Sequence, residues 1–361
     1  MAINKTSGET LSFEEIENEF GQIAGANNRK LGSYRVNYSN VAAGGGLSNE
    51  PLDEGVPQSG PIKFSDFYGK KLNIVVDCYS SPAPANAHTR VIAKDNYDNG
   101  DAEVIGPGYF PSLPNSNSGV SGKKIIINVN TKFQSASTGP LGDTTQCALR
   151  TGQWQSGTSV QVDVSGSGKI MGTGGNGGQG GPDGNAGEAG KDGSSGLGIQ
   201  QENTVVNVHS GGAIITGYGG GGGGGWHKQK DWGRTRNSAG GGGGGGAGAP
   251  NSVGGSPGGG EGARAGAPGI EPMGGEQGGA GGQGGNDDGE AIGGVGGRGG
   301  DQLDAAQAGQ SRSASGGAGG NNGAAIRRSS GSISWTYGAT HVGNVWGAGS
   351  GGSSESGTGV S

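Results

Sequence analysis

Two unbroken runs of seven glycines, Gly219–Gly225 and Gly240–Gly246, constrain this chain more than any other feature. Glycine loses more backbone freedom on folding than any other residue. A segment with no side chains also has no apolar surface to bury. Such runs stay disordered unless a regular structure rewards close approach of one backbone to another. The runs are not isolated: 72 of the 91 glycines lie in residues 166–361, more than one-third of that half. Glycine also recurs at every third position from Gly178 to Gly196 and at Gly275, Gly278, Gly281 and Gly284, resuming in phase at Gly293, Gly296 and Gly299. A period of three matches a left-handed extended helix with three residues per turn. Collagen winds three such chains around an axis of glycine, and a polyglycine II bundle packs many side by side. The seven-residue runs carry no bulky second or third position and proline is scarce, so the bundle is favoured. A collagen-like trimer and flexible disorder remain as alternatives.

Hydrophobic residues make up 29% of the chain and aromatics 5%, too little for one large core throughout. Residues 1–165 are more ordinary and can hold a small one. A net charge of −6 argues against nucleic acid or an anionic membrane as the main partner. No stretch is apolar enough to span a bilayer. The start, Met1–Lys5, has no signal-peptide apolar region, so synthesis and folding in the cytoplasm are expected. Cys78 and Cys147 do not form a disulfide scaffold and read as buried thiols.

The fold class expected is mainly β: short N-terminal helices, a small β-sandwich-like domain, then β-hairpins capping a polyglycine II helix bundle. Three domains follow from the composition shifts. Residues 1–71 carry short amphipathic pieces. In the first, Phe13, Ile16 and Phe20 share a helical face, Ser12 and Glu15 form a capping box and Gly21 is a stop. Residues 62–69 echo it, and 30–35 are a shorter version. Residues 42–60 read as a linker. Small helices like these cannot bury their apolar faces alone and need another chain or a larger partner.

Residues 72–165 read as a small all-β domain, with strands near 72–79, 89–93, 102–105, 124–129 and 159–164 and a long loop over 106–119. Residues 166–361 form the glycine-rich domain. Three patches resemble one another, at 160–172, 205–217 and 333–343. Each has two short strands around a Gly or Ser turn and is read as a hairpin.

Motifs for catalysis or metal binding do not emerge. Gly-x-Gly-x-x-Gly is uninformative at this glycine content. The four histidines show no metal spacing, and Gly296–Asp304 matches one calcium nonapeptide where stacked copies are needed. No cofactor, metal or enzymatic activity is expected. A polysaccharide-degrading tailspike is disfavoured because no carboxylate cluster and no long regular β-helix repeat are visible.

One segment stands apart. Between the two glycine runs lies Trp226–Ala239, which holds Trp226, His227, Lys228, Lys230, Trp232, Arg234 and Arg236 in an otherwise acidic chain. If the runs are neighbouring extended helices, this segment is the loop at their tip. Tryptophan can stack on sugar rings or fill an apolar pocket, and Lys and Arg can hold phosphate or carboxylate. These residues are the candidate receptor-binding set. The bland alternative is tryptophans packed over the bundle end beside a solvated basic face. The segments 302–315 and 286–292 are further, less distinctive candidate loops.

The N-terminal phrases Ser12-Phe13-Glu14-Glu15-Ile16 and Ile62-Lys63-Phe64-Ser65-Asp66-Phe67-Tyr68-Gly69 resemble a short module of phage tail and fibre proteins. The phrase Gly211–Gly220 resembles the glycine-rich tips of tailed-phage fibres, among them the tip adhesins of T-even-like phages. The resemblance implies a rigid scaffold of polyglycine II helices with variable distal loops that contact the host. It places the loop Trp226–Ala239 in that position. Attachment module and glycine-rich tip are here fused in one chain.

The expected function is therefore a phage virion tail fibre or tail-tip protein that recognises the host through loops on a stiff scaffold. The alternative is a purely structural virion component such as a decoration, neck or baseplate protein. Expected partners are other tail or baseplate proteins through residues 1–71 and a bacterial surface glycan or outer-membrane protein. A homotrimer in the virion tail is expected, and no nucleic acid.

Overall fold

The computed structural model describes residues 3, 5–17, 30–34, 56–57, 59–70, 74–78, 124–129, 132–134, 144–152, 154, 157–231, 234–248, 254–258, 263–269, 278–287, 291–300, 305–339, 341–342, 344–346 and 356–358. The mainly β class expected from the sequence holds. The expected strands at 89–93 and 102–105, the loop 106–119, Phe20 and most of the linker 42–60 lie outside the described residues.

Strand pairing departs from the expected sandwich and hairpins. The strands β1 (Ile74–Cys78), β2 (Lys124–Val129), β5 (Ser159–Val164), β8 (Thr204–Val208) and β15 (Trp335–Tyr337) form one sheet in that order. A second sheet runs β3 (Lys132–Gln134), β6 (Lys169–Met171), β9 (Ala213–Ile215) and β16 (Asn344–Trp346). A third runs β4 (Cys147–Arg150), β7 (Ser195–Ile199), β14 (Ile326–Arg328) and β17 (Ser356–Thr358). Every pairing in these sheets is parallel. The chain visits the three sheets in turn, β2-β3-β4, then β5-β6-β7, β8-β9-β14 and β15-β16-β17. That path is a three-sided parallel β-helix.

The three similar patches are its coils. What reads as a hairpin turn between 164 and 169 is a corner between two sheets, closed by Gly168 N–H donating to the Ser165 carbonyl at 2.9 Å. Its counterpart one coil on is closed by Gly212 and the His209 carbonyl at 2.9 Å, with Gly211 at φ +87°. Tight Gly/Ser turns serve a reversal and a corner equally well. The strand sequence is more telling: Ile125, Ile126, Ile127 and Val129 of β2 are all fully buried, the near-continuous apolar run of a parallel strand covered on both faces. Ile125, Val160, Ile170, Val206, Ile214, Leu197 and Ile326 share one core.

The same core includes Ile3, Leu11, Ile16, Val56 and Phe67. The N-terminal pieces thus bury their apolar side chains within their own chain, where another chain had been the alternative. The Ser12–Glu15 capping box is formed: Ser12 N–H donates to Glu15 Oε2 at 2.9 Å and Glu15 N–H to Ser12 Oγ at 3.2 Å. Residues Phe64–Phe67 form a 3-10 turn, and the Phe64 ring meets Phe13 edge to face at 4.7 Å between centroids.

The glycine-rich tracts leave the β-helix at one corner, between the second and third sheets. Residues 172–194 join β6 to β7, and 216–325 join β9 to β14. They run as extended segments, out and back, bonded laterally through the backbone. Gly175, Gly178 and Gly181 donate to the carbonyls of Tyr218, Gly221 and Gly224 at 2.7–2.8 Å, so these two segments are parallel. Gly217, Gly220 and Gly223 donate to Ser194, Lys191 and Glu188, an antiparallel neighbour. Gly221 and Gly224 donate to Gly244 and Gly241, and Gly222 and Gly225 to Gln307 and Gln310. Successive N–H groups along 220–225 thus point to three different neighbours, and every third returns to the same one, whereas Gly219 N–H donates to Asn322 Oδ1 at 2.8 Å. An ideal Cβ on Gly219, Gly222 or Gly223 would lie 1.9–2.1 Å from a neighbouring carbonyl oxygen. That close approach explains why the runs carry no side chain. All these bonds lie within one chain, whereas collagen would need three.

Candidate functional site: a basic hairpin at the end of the glycine lattice

The outward segments reverse at the end of the lattice remote from the β-helix. Through their described residues, the reversals at 182–185, 226–239, 286–292 and 311–315 meet there. Trp226 ties two of them to its own, with its N–H donating to the Asn185 carbonyl at 3.3 Å and its carbonyl accepting Ala314 N–H at 2.9 Å.

Between the glycine runs, β10 (His227–Asp231) and β11 (Arg234–Ser238) form an antiparallel hairpin. Its register pairs His227 with Ser238, Lys228 with Asn237, Gln229 with Arg236, Lys230 with Thr235 and Asp231 with Arg234. Because side chains alternate across a strand, Lys228, Lys230, Thr235 and Asn237 share one face. All four are exposed, whereas His227, Gln229 and Arg236 on the other face are half-buried and Ser238 is buried. The hairpin therefore has a packed side and a free side. On the packed side His227 Nδ1 lies 3.1 Å from Ser313 Oγ, and that hydroxyl accepts Lys228 N–H at 3.0 Å. A second small hairpin, β12 (Asn286–Asp287) with β13 (Ala291–Ile292), lies against β10 and β11.

On the free side the ammonium groups of Lys228 and Lys230 make no ion pair or hydrogen bond among the described residues. Two positive charges two positions apart on one strand repel each other at rest. They are suited to a ligand that brings negative charge or several acceptors to both.

The structure brings His227, Lys228, Lys230, Arg234 and Arg236 onto one hairpin with Trp226 at its base. Trp232, with Gly233, lies outside the described residues. Of the candidate set, Arg236 sits on the packed face and Trp226 is half-buried, so the free face is carried by the two lysines. Both secondary loops, 286–292 and 302–315, reach the same end through their described residues. Ser313 lies in the candidate loop 302–315, but the sequence does not single it out, since one serine among Ser311, Ser313 and Ser315 carries no signal of its own. Among the described residues no group of three or more His, Cys, Asp or Glu side chains is arranged to hold a metal ion. No helix is long and apolar enough to cross a membrane among those residues.

No family model matches the chain, and no curated protein matches it. Among solved structures, the crystal structure of the gp37-gp38 adhesin tip complex of the bacteriophage S16 long tail fiber is similar over 80% of this chain and 87% of that one, at 18% identity and a TM-score of 0.27. The hairpin's role is read from its own chemistry.

Proposed function

We propose that this chain is a tailed-phage tail fibre or tail-tip protein that recognises the host surface through the β10–β11 hairpin. The observation that carries the reading is the exposed face of that hairpin, with Lys228 and Lys230 beside Thr235 and Asn237, at the far end of a backbone-bonded lattice. In this reading the lattice is a polyglycine II bundle. The three-residue return of its hydrogen bonds supports that assignment. The nine residues from Gly217 to Gly225 would hold the hairpin about 28 Å from the β-helix at ~3.1 Å per residue. A scaffold bonded mainly from backbone to backbone does not depend on the loop sequence, so the hairpin can vary without cost to the framework.

The partner is a bacterial surface glycan or outer-membrane protein presenting acidic or acceptor-rich groups. Trp232 and Arg234 belong to the proposed site through their place in the hairpin sequence. Residues 1–71 are proposed to join other tail or baseplate proteins and thereby fix the chain in the virion tail. A homotrimer would present three hairpins and add avidity without new contacts. The test is binding of the purified chain to a panel of bacterial strains, beside a variant with residues 226–239 replaced by a Gly/Ser linker. Loss of binding with an unchanged circular dichroism spectrum is expected. Equal binding by both chains would move the receptor site off the hairpin, and no binding by the intact, folded chain would leave a purely structural role.

A further inference from the structure

A second feature lies on the β-helix, well away from the hairpin. Along the corner between the third sheet and the first runs a groove of about 520 Å³, within the range of small-molecule sites. Three successive turns build it: the one before β5, the one between β7 and β8, and the one before β15. Its walls include Trp154, Thr158, Gln200, Glu202, Asn203 and Ile333.

The frame of the groove is fixed by its own hydrogen bonds. Gln201 Oε1 accepts Trp154 N–H at 3.0 Å, and Gln201 Nε2 donates to the Thr158 carbonyl at 3.4 Å. The Trp154 indole N–H is taken by the Thr151 carbonyl at 2.9 Å. Gln200 Oε1 is buried and has no hydrogen-bond partner among the described residues. Asn203 holds a left-handed backbone at φ 57°, and its Oδ1 accepts Ser334 Oγ–H at 3.0 Å. That bond directs the remaining Nδ2 donor, which has no partner among the described residues. The Glu202 side chain is exposed and likewise makes no bond.

A buried acceptor left unpaired costs free energy, so Gln200, a half-buried side chain that lines the groove, gains if its amide turns to meet a donor from outside. One four-residue turn thus offers an amide acceptor, an amide donor and a carboxylate, next to an indole and an isoleucine. Among the described residues no Lys or Arg lines the groove, and Glu202 would repel an anion. No metal-binding cluster occurs among the described residues. Hydroxyl groups that both donate and accept, carried on a compact body with apolar patches, fit this set. We infer that the groove binds a neutral saccharide, independently of the hairpin.

The experiment is saturation-transfer NMR on the full chain with the methyl glycosides of glucose, galactose, mannose and N-acetylglucosamine. At least one should bind saturably with a dissociation constant on the order of 1 mM, as expected of a small open site. Gln200→Met removes the buried acceptor, and Asn203→Gly removes the donor while keeping a residue at ease in the left-handed region. Each should weaken binding about tenfold, close to the loss of one hydrogen bond to a neutral group. Glu202→Gln, at an exposed position, provides a third variant if either of the others unfolds, and it too should weaken binding. The Lys228→Ala/Lys230→Ala chain should bind the glycoside as the parent does, which separates this site from the hairpin. Absence of saturable binding by every glycoside, or parental affinity in the folded variants, would overturn the inference.

Discussion

Gly222→Ala adds one methyl group to the middle of the lattice. The new Cβ would lie 1.9 Å from the Gly317 carbonyl oxygen and 2.5 Å from its carbon. That oxygen accepts Gly309 N–H at 2.8 Å, while Gly222 donates to Gln307 at 2.9 Å and accepts from Gly297 at 2.7 Å. Since Cβ contacts below 3.0 Å essentially do not occur, one segment must move by at least 1.1 Å. Backbone held by short bonds on all sides cannot move so far and keep them. Loss of two or three bonds at about 1 kcal/mol each, with about 1–3 kcal/mol of overpacking, outweighs the 0.4–1 kcal/mol or so that alanine contributes by restricting the unfolded chain. The net cost is about 2–6 kcal/mol, a fall in melting temperature of roughly 3–8 °C for a chain of this length. Calorimetry on Gly222→Ala beside Gly331→Ala measures it. An ideal Cβ on Gly331 meets nothing within 4 Å, so that variant should melt with the parent. If Gly222→Ala also melts with the parent, the close-packed lattice is wrong.

Two further predictions concern the N-terminal module. Phe67 is fully buried in the shared core, so Phe67→Ala should cost about 3–5 kcal/mol in denaturant unfolding. A loss within the error of the measurement would detach the module from the β-helix core. The Glu15 carboxyl is held below its ordinary value of 4.5 chiefly by the Ser12 backbone N–H, and Glu9 below the same value by the Thr6 N–H. A lowered carboxyl pKa contributes stability that is fully present above 4.5 and is lost as pH falls through the lowered value. The protection of the amides of residues 5–17, measured against their intrinsic exchange rate at each pH, should therefore fall below pH 4.5 in the parent, and Glu15→Gln should flatten that dependence. Equal profiles in the two chains would contradict the assigned cause.

Much of this molecule is visible in its sequence where the signal is local. The Ser12–Glu15 capping box needs only a four-residue window. The three-residue glycine period is itself the geometry of the lattice, and the basic segment stands out because glycine flanks it on both sides. The β-helix is different. Its coils differ in length, because one carries 172–194 and the next 216–325 between their second and third strands. The similar patches are therefore seen as a likeness without a period. A Gly/Ser corner such as 165–168 reads the same as a hairpin turn, and only partners in the neighbouring coil distinguish them: Val164 pairs with Val129 and Val208. The groove at Gln200 was hidden for a related reason, since it is assembled from turns more than 40 positions apart, as the bonds from Gln201 to Trp154 and Thr158 show. In the hairpin, the sequence could not separate the free lysines from Arg236. Which residues share a face depends on register, and which face is packed depends on Ser313, contributed from 85 positions further along the chain.

The central claim is that the free lysine face touches the host. It is tested most directly by binding of the purified chain to a susceptible bacterial strain, with Lys228→Ala/Lys230→Ala beside the parent over a series of salt concentrations. The account predicts weaker binding by the double variant and a shallower salt dependence, at an unchanged melting temperature. Binding of the same strength and the same salt dependence in both chains would contradict it.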